Sequence, residues 1–276
     1  MVTKIMLKKM NRRLPILITI PHGGITVPEE LTVNKIVSKF DIFFESDTCA
    51  NELFNFKNHV IAKIDTEISR LFIDLDRNML HVFPISQDGV IKNETLHGKP
   101  IYKKTVYPDK IAIPNILNRY YQPFHRGIKK YISKGEIKLI IDCHTMMPVG
   151  PSNSPDAGMP RPLILVENII EKDGEKKFSC PPELAKSFME NLKKSFTKEE
   201  ATVAGKFYLN KPLSKGYLIN KYGQSEIPML RLSISRSLFL NDKYLNHDNL
   251  KVDEVRINEL KKKIWFGINK FFLKYF

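Results

Sequence analysis

Two apolar runs that each end in a histidine constrain this chain more than any other feature. Leu14–Ile20 reads LPILITI and passes into Pro21-His22-Gly23-Gly24, while Ile137–Cys143 reads IKLIIDC and passes into His144-Thr145. Both runs are nearly continuous in apolar residues, as expected of central strands covered on both faces. In an open α/β sheet the ligand crevice lies just beyond the carboxyl ends of such strands. If the two strands are neighbours, both imidazoles face one crevice, and imidazole is the commonest metal ligand among side chains. The glycines after His22 let backbone or substrate approach closely.

The remainder of the chain alternates short apolar runs with amphipathic stretches, which predicts an α/β fold. Further strands are expected at His59–Ile64, Leu71–Leu75, Leu163–Glu167, Thr202–Phe207 and Met229–Ser235, and helices at Asp47–Phe56, Pro114–Ser133, Pro182–Phe196 and Asp253–Phe272. Pro123 must kink or interrupt the second helix. In the last helix Val255, Leu260, Ile264, Ile268 and Phe271 recur at roughly helical spacing, predicting a stripe that packs on the core. The stretches Phe83–Lys110 and Met147–Pro162 are rich in Pro, Gly, Asn and Ser and read as long loops that wall an active site. No repeat or low-complexity linker divides the chain, so a single domain over residues 1–276 is expected.

Composition excludes several function classes. With 42% hydrophobic and 27% charged residues, the chain is an ordinary globular one. No apolar run approaches the roughly 18–20 residues of a bilayer span, so no membrane partner is expected. The basic start followed by LPILITI superficially resembles a signal peptide, but the apolar run is short and leads into PHGG rather than a cleavage site. Cys49, Cys143 and Cys180 are too few and scattered for a disulfide framework, which predicts a reducing, cytoplasmic location. The net charge of +14 comes from lysines spread along the chain, with no dense basic block and no nucleic-acid-binding signature. A solvated surface explains the charge, and no nucleic-acid partner is expected.

Other polar clusters could complete a site. ESDTCANELF offers Glu45 and Asp47 as a third ligand, although Asp47 would also serve as a helix N-cap. In Ser69-Arg70-Leu71-Phe72-Ile73-Asp74-Leu75-Asp76-Arg77-Asn78, charges crowd the end of an apolar segment. An arginine there can grip a carboxylate with two parallel hydrogen bonds, or pair internally with an aspartate. Tyr120-Tyr121-Gln122-Pro123-Phe124-His125 puts a histidine on or beside a helix, where it either meets substrate or is a satisfied structural residue.

The ordered set PHGG, ESDT, SRLFIDLDRN, YYQPFH, DCHTMMP, FYLNKPLSKGYLINKYG and MLRLSISRSLFLND resembles the N-formylglutamate amidohydrolase family over about Leu14 to Asp242. The resemblance implies a zinc-carboxypeptidase-like (phosphorylase/hydrolase-like) fold: a mixed, roughly eight-stranded sheet between helices with one Zn2+ in its cleft. It implies hydrolysis of the amide of a small acidic N-acyl amino acid, such as N-formylglutamate. Carried over residue by residue, it makes His22, Asp47 and His144 the zinc ligands, with Asp47 preferred to Glu45. Arg70, Arg77, Asn78, Asn210 and Arg236 become substrate contacts, and His125 falls on a helix motif beside the site.

One departure concerns the chemistry. Relatives carry a glutamate in the pattern Q-I-E-[apolar]-x-R, resembling the strand that bears the general base in carboxypeptidases. Here the segment is Arg231-Leu232-Ser233-Ile234-Ser235-Arg236, with Ser233 at the glutamate position. A serine hydroxyl cannot take a proton from water as a carboxylate can. Glu226, a few residues upstream, is the candidate base, reaching in by a different route, although nothing in the sequence demands it. Two functions are therefore expected in order: a zinc-dependent amidohydrolase, and a catalytically weak or inactive relative that binds a small carboxylate.

Overall fold

Leu14–Ile20 (β1) and Leu139–Met146 (β3) are adjacent parallel strands in the computed structural model, which describes residues 13–86, 88–103, 107–172, 174–197, 206–212 and 216–276. Between them come α1 (Lys39–Glu45), α2 (Ala50–Leu53), β2 (Val60–Asp65), α3 (Ala112–Ile116) and α4 (Gln122–Ser133). After them follow β4 (Ile164–Glu167), a β5–β6 hairpin (Ile169–Lys172 and Glu175–Phe178), α5 (Pro182–Lys193) and β7 (Phe207–Leu209). The chain closes with α6 (Tyr217–Tyr222), β8 (Met229–Ser235) and α7 (Glu254–Tyr275). The main sheet runs β2-β1-β3-β8-β4-β7, with β2, β1, β3 and β8 parallel and β4 antiparallel to β8. The fold is therefore α/β with a mixed sheet, of six strands among the described residues rather than eight.

The period of two along the strands divides the molecule. Ile16, Ile18 and Ile20, Leu139, Ile141 and Cys143, and Leu230, Leu232 and Ile234 all face one core layer, with α2, α5 and α7. The alternate residues face a second layer built from residues 71–75, 112–133 and 217–222. On that side the strands are apolar only near their amino ends. Towards their carboxyl ends the same face carries Thr19, Asp142, His144, Arg231 and Ser233.

Three sequence expectations change, and the interruption expected at Pro123 is met. Leu71–Leu75 is almost fully buried but lies in turns: Phe72 and Ile73 donate back to the Ser69 carbonyl, and only Ile73 bridges Ile91. Burial, not a ladder, produced its apolar pattern. The helix expected from Asp47 starts at Ala50, because Cys49 takes a left-handed conformation with φ 59°. Pro123 is accommodated by a π-helical turn over Leu117–Tyr121 that separates α3 from α4, removing a bond proline cannot make. In α7, Leu260, Ile264, Ile268 and Phe271 are buried as expected, but Val255 is 79% exposed in the first turn. The strand expected at Thr202–Phe207 lies mostly outside the described residues, and β7 begins at Phe207. Among the described residues no helix is long and apolar enough to cross a membrane.

Helix α7 lies against α5 through Gly267, where a Cβ would come 2.9 Å from the Leu192 Cα. Gly267→Val should therefore force the helices apart and destabilise the protein by about 1–3 kcal/mol, the range for overpacked cores. Urea denaturation measures it.

Candidate metal centre

Three segments converge at the carboxyl edge of the sheet. His22 follows β1 in a loop that packs so tightly on the segment after β2 that a Cβ on Gly24 would stand 2.1 Å from the Glu67 carbonyl carbon. The Asp47 amide donates to the His22 carbonyl (2.9 Å), and the Asp47 carbonyl accepts from Ala50, so the turn before α2 aims the carboxylate inward rather than capping the helix. His144 lies on β3 opposite Ser233 of β8.

The ligating atoms of His22, Asp47 and His144 all lie within 4.8 Å of one another, and all three residues are buried. Asp47 Oδ2 is 2.8 Å from His144 Nδ1 and 3.7 Å from His22 Nδ1. His22 Nδ1 is buried without a hydrogen-bond partner. Two imidazole nitrogens and a carboxylate oxygen, one of the nitrogens otherwise orphaned, fit a divalent cation of the zinc type. A second ring of carboxylates orients the imidazoles, as metal-site histidines require: Asp74 Oδ1 lies 2.6 Å from His22 Nε2, and Asp142 Oδ2 lies 2.9 Å from His144 Nε2.

Electrostatics follow from this packing. Burial opposes ionisation of Asp47, but the hydrogen bond with His144 and electrostatic attraction to both imidazoles hold it well below the usual carboxylate range. Burial and Arg231 push His144 down, yet a carboxylate on each ring nitrogen more than offsets them and raises it to about 9. Arg236 secures Asp47 from behind, donating to its Oδ1 (3.4 Å), to the Phe44 carbonyl (2.7 Å) and to Thr145 (3.2 Å).

A cleft of about 390 Å³ opens over this centre, and Arg70, Arg77, Arg231, Ser233 and Arg236 contribute to its lining. Arg70 donates to Asp74 at 3.0 Å and lies 3.8 Å from Asp47. Arg77 is held by Asp88. The cleft's carboxylates are all engaged among the described residues. Asp76 accepts from Arg231 and the Leu218 amide, Asp156 is gripped on both oxygens by Arg161, and Asp88 lies on Arg77 and Lys92.

Four expected site residues lie elsewhere, and Glu45 is not a ligand. Glu226 precedes the amino end of β8 beside Ile227 and Pro228, and Met229 to Ser233 alone spans about 13 Å of strand. It cannot reach the cleft as a base. His125 spends both nitrogens, one on Tyr222 Oη (2.8 Å) and one on the Leu75 carbonyl (3.1 Å), and burial drives it down to about 4. It braces the buried turn segment instead of carrying protons. Asn78 accepts from the Leu80 amide and shapes a turn. Asn210, at φ 58°, pairs with Asn168 and sets up the loop that brings Pro212 to the cleft. Glu45 accepts from the Leu96 amide.

Sequence reasoning missed the orienting roles of Asp74 and Asp142 and the buried cations Arg231 and Lys92. The available signal was periodicity: Asp142 and His144 are two apart on one strand, as are Arg231 and Ser233, so each pair shares a face.

The sequence profile of the N-formylglutamate amidohydrolase family matches residues 14–240. A crystal structure of N-formylglutamate amidohydrolase from Ralstonia eutropha superimposes with a TM-score of 0.69 at 18% identity, covering 94% of each chain. The structure of a gene product of Agrobacterium tumefaciens gives 0.60 at 14% identity, covering 93% of this chain and 91% of its own. No curated protein matches the chain in sequence. The two structures share the fold, and the profile match over most of the chain decides the grouping: the protein belongs to the N-formylglutamate amidohydrolase family.

Proposed function

We propose that the protein is a zinc-dependent hydrolase that cleaves the amide bond of a small N-acyl acidic amino acid such as N-formylglutamate. The observation that carries this reading is the convergence of His22 Nδ1, His144 Nδ1 and Asp47 Oδ2, with the buried His22 nitrogen otherwise unpartnered. When bound there, zinc supplies Lewis acidity, polarising the scissile carbonyl and acidifying the attacking water. Asp74 and Asp142 hold the imidazoles so that both Nδ1 atoms face Asp47, and Arg236 fixes Asp47 between them. Arg70 and Arg77 present guanidinium groups to the cleft, where they hold the substrate's carboxylate.

A second reading, a weak or inactive relative that binds small carboxylates, draws on Ser233. No described cleft carboxylate is free to act as base in its place. A panel of N-acyl amino acids assayed with zinc-loaded protein separates the two: turnover supports the first, and binding without turnover the second. Ser233→Glu should raise kcat by about 10²-fold, because a carboxylate near the attacking water can take its proton and pass it to the leaving amine. Glu226→Gln should leave turnover as it is. Loss of turnover in that variant would contradict the placement of Glu226 away from the cleft.

His22→Ala and His144→Ala should each lose most bound zinc while remaining folded, since a core of this size does not need the ion. Elemental analysis of protein purified without chelator checks both.

The pH dependence has a definite sign. His144 is raised from 6.5 to about 9, so its proton's contribution to metal-free stability is complete below 6.5 and is lost as the pH rises through 9. Metal-free protein should melt at a lower temperature at pH 9 than at pH 6.5. Zinc must displace that proton from Nδ1, so its affinity should rise over the same interval, with proton release visible by calorimetry.

A further inference from the structure

Arg77 is an arginine expected to grip the substrate, yet its fork already holds a carboxylate of the chain itself. Asp88 Oδ2 accepts from Arg77 Nη2 at 2.6 Å and from Nε at 3.2 Å, while Nη1 donates to the Asp76 carbonyl. The second Asp88 oxygen accepts from Lys92, whose ammonium also lies 3.3 Å from Asp74. The two cations are set into the wall, their side chains 25% and 5% exposed, whereas the Asp88 side chain is 59% exposed. Arg77 and Asp88 both line the cleft above the metal centre. The donors are thus fixed by the protein, and the acceptor stands on the solvent side of them.

We propose that Asp88 is a specificity-determining internal competitor, occupying the Arg77–Lys92 anion seat until a substrate carboxylate displaces it. This rests on reading the cleft as the site of an acyl amino acid. An entering carboxylate inherits the same donors, so neither cation is left buried without a counter-ion during the exchange. Asp88, already half in water, loses little by moving out. A ligand without a carboxylate displaces Asp88 poorly, because it would leave Arg77 without a carboxylate on its fork and Lys92 with Asp74 alone. Acidic ligands bind with their intrinsic affinity multiplied by the fraction of molecules in which the seat is open.

The test is binding of glutarate and of its neutral analogue glutaramide to zinc-loaded protein by calorimetry. Asp88→Asn should tighten glutarate by about tenfold or more, the factor by which Asp88 now keeps the seat closed, and leave glutaramide within about twofold. Asp88→Glu, which keeps the carboxylate, should retain the native affinity. Arg77→Gln combined with Asp88→Asn should cancel the gain. Unchanged or weaker glutarate binding by folded Asp88→Asn protein would overturn the proposal and make Asp88 a counter-ion of its loop only. Should Asp88→Asn fail to fold, Asp88→Ser is read by the same criteria. Glutarate binding needs no turnover: tightening in a protein inert on every acyl amino acid would retain this inference and end the hydrolase reading. Brisk turnover without tightening would do the reverse.

Discussion

The structure depends on keeping the Asp47 carboxylate ionised in a place with almost no water. A carboxylate taken out of water without partners costs several kcal/mol even after relaxation. Asp47 offsets that cost with contacts from separate parts of the chain. His144 and the Thr145 amide come from β3, Arg236 comes from beyond β8, and His22 and Arg70 follow β1 and β2. Removing any one segment leaves a buried charge short of a partner. The centre therefore couples the folding of the sheet's carboxyl edge to the chemistry it can hold.

The same logic extends outward through doubly used carboxylates. Asp142 accepts from Thr19 on one oxygen and contacts His144 and Arg231 with the other, tying β1, β3 and β8 together. Asp74 contacts His22, Arg70 and Lys92 and also accepts the Asp76 amide. Satisfied networks of this kind strengthen as the local dielectric falls, and half-satisfied ones destabilise by the same mechanism. That explains how the turn segment over residues 69–78 stays buried with its charges. Its side chains Arg70, Asp74 and Asp76 each find a partner on another segment: Asp47, His22 and Arg231.

Much of this was legible in the sequence. LPILITI and IKLIIDC read as central strands, and their terminal histidines marked where a centre would form if the two were neighbours, because strand burial and strand ends are local properties. His125 and Glu226 were not legible, since each could be placed only by knowing what packs around it. His125 has chemistry suited to catalysis, but its neighbours Tyr222 and the Leu75 carbonyl are 97 and 50 residues away in sequence. Glu226 is seven positions before Ser233, and only the direction of β8 shows that those positions lead away from the cleft. The apolar pattern of Leu71–Leu75 reported burial truthfully and geometry wrongly, because a period of two is not distinguishable over five residues of which four are apolar.

The positions of Arg231 and Ser233 are best understood as one unit. They lie two apart on β8, facing the same layer, opposite Asp142 and His144 respectively. The Arg231 guanidinium lies between Asp76 and Asp142, at 2.7 and 3.2 Å, within a group of Asp76, Asp142 and His144 that could itself hold a cation. A fixed positive charge already fills that place, which leaves His22, Asp47 and His144 as the group among the described residues with room for a cation. The same charge bears on any acid at position 233. An arginine a few ångströms from a carboxylate lowers its pKa by about 1–3 units, and a carboxylate held that low is a weaker proton acceptor. With Arg231 in place, a glutamate at 233 would lose part of the basicity that makes such a residue useful. In this cleft a base at position 233 would therefore be weakened by the same charge that fills the second cation-sized gap.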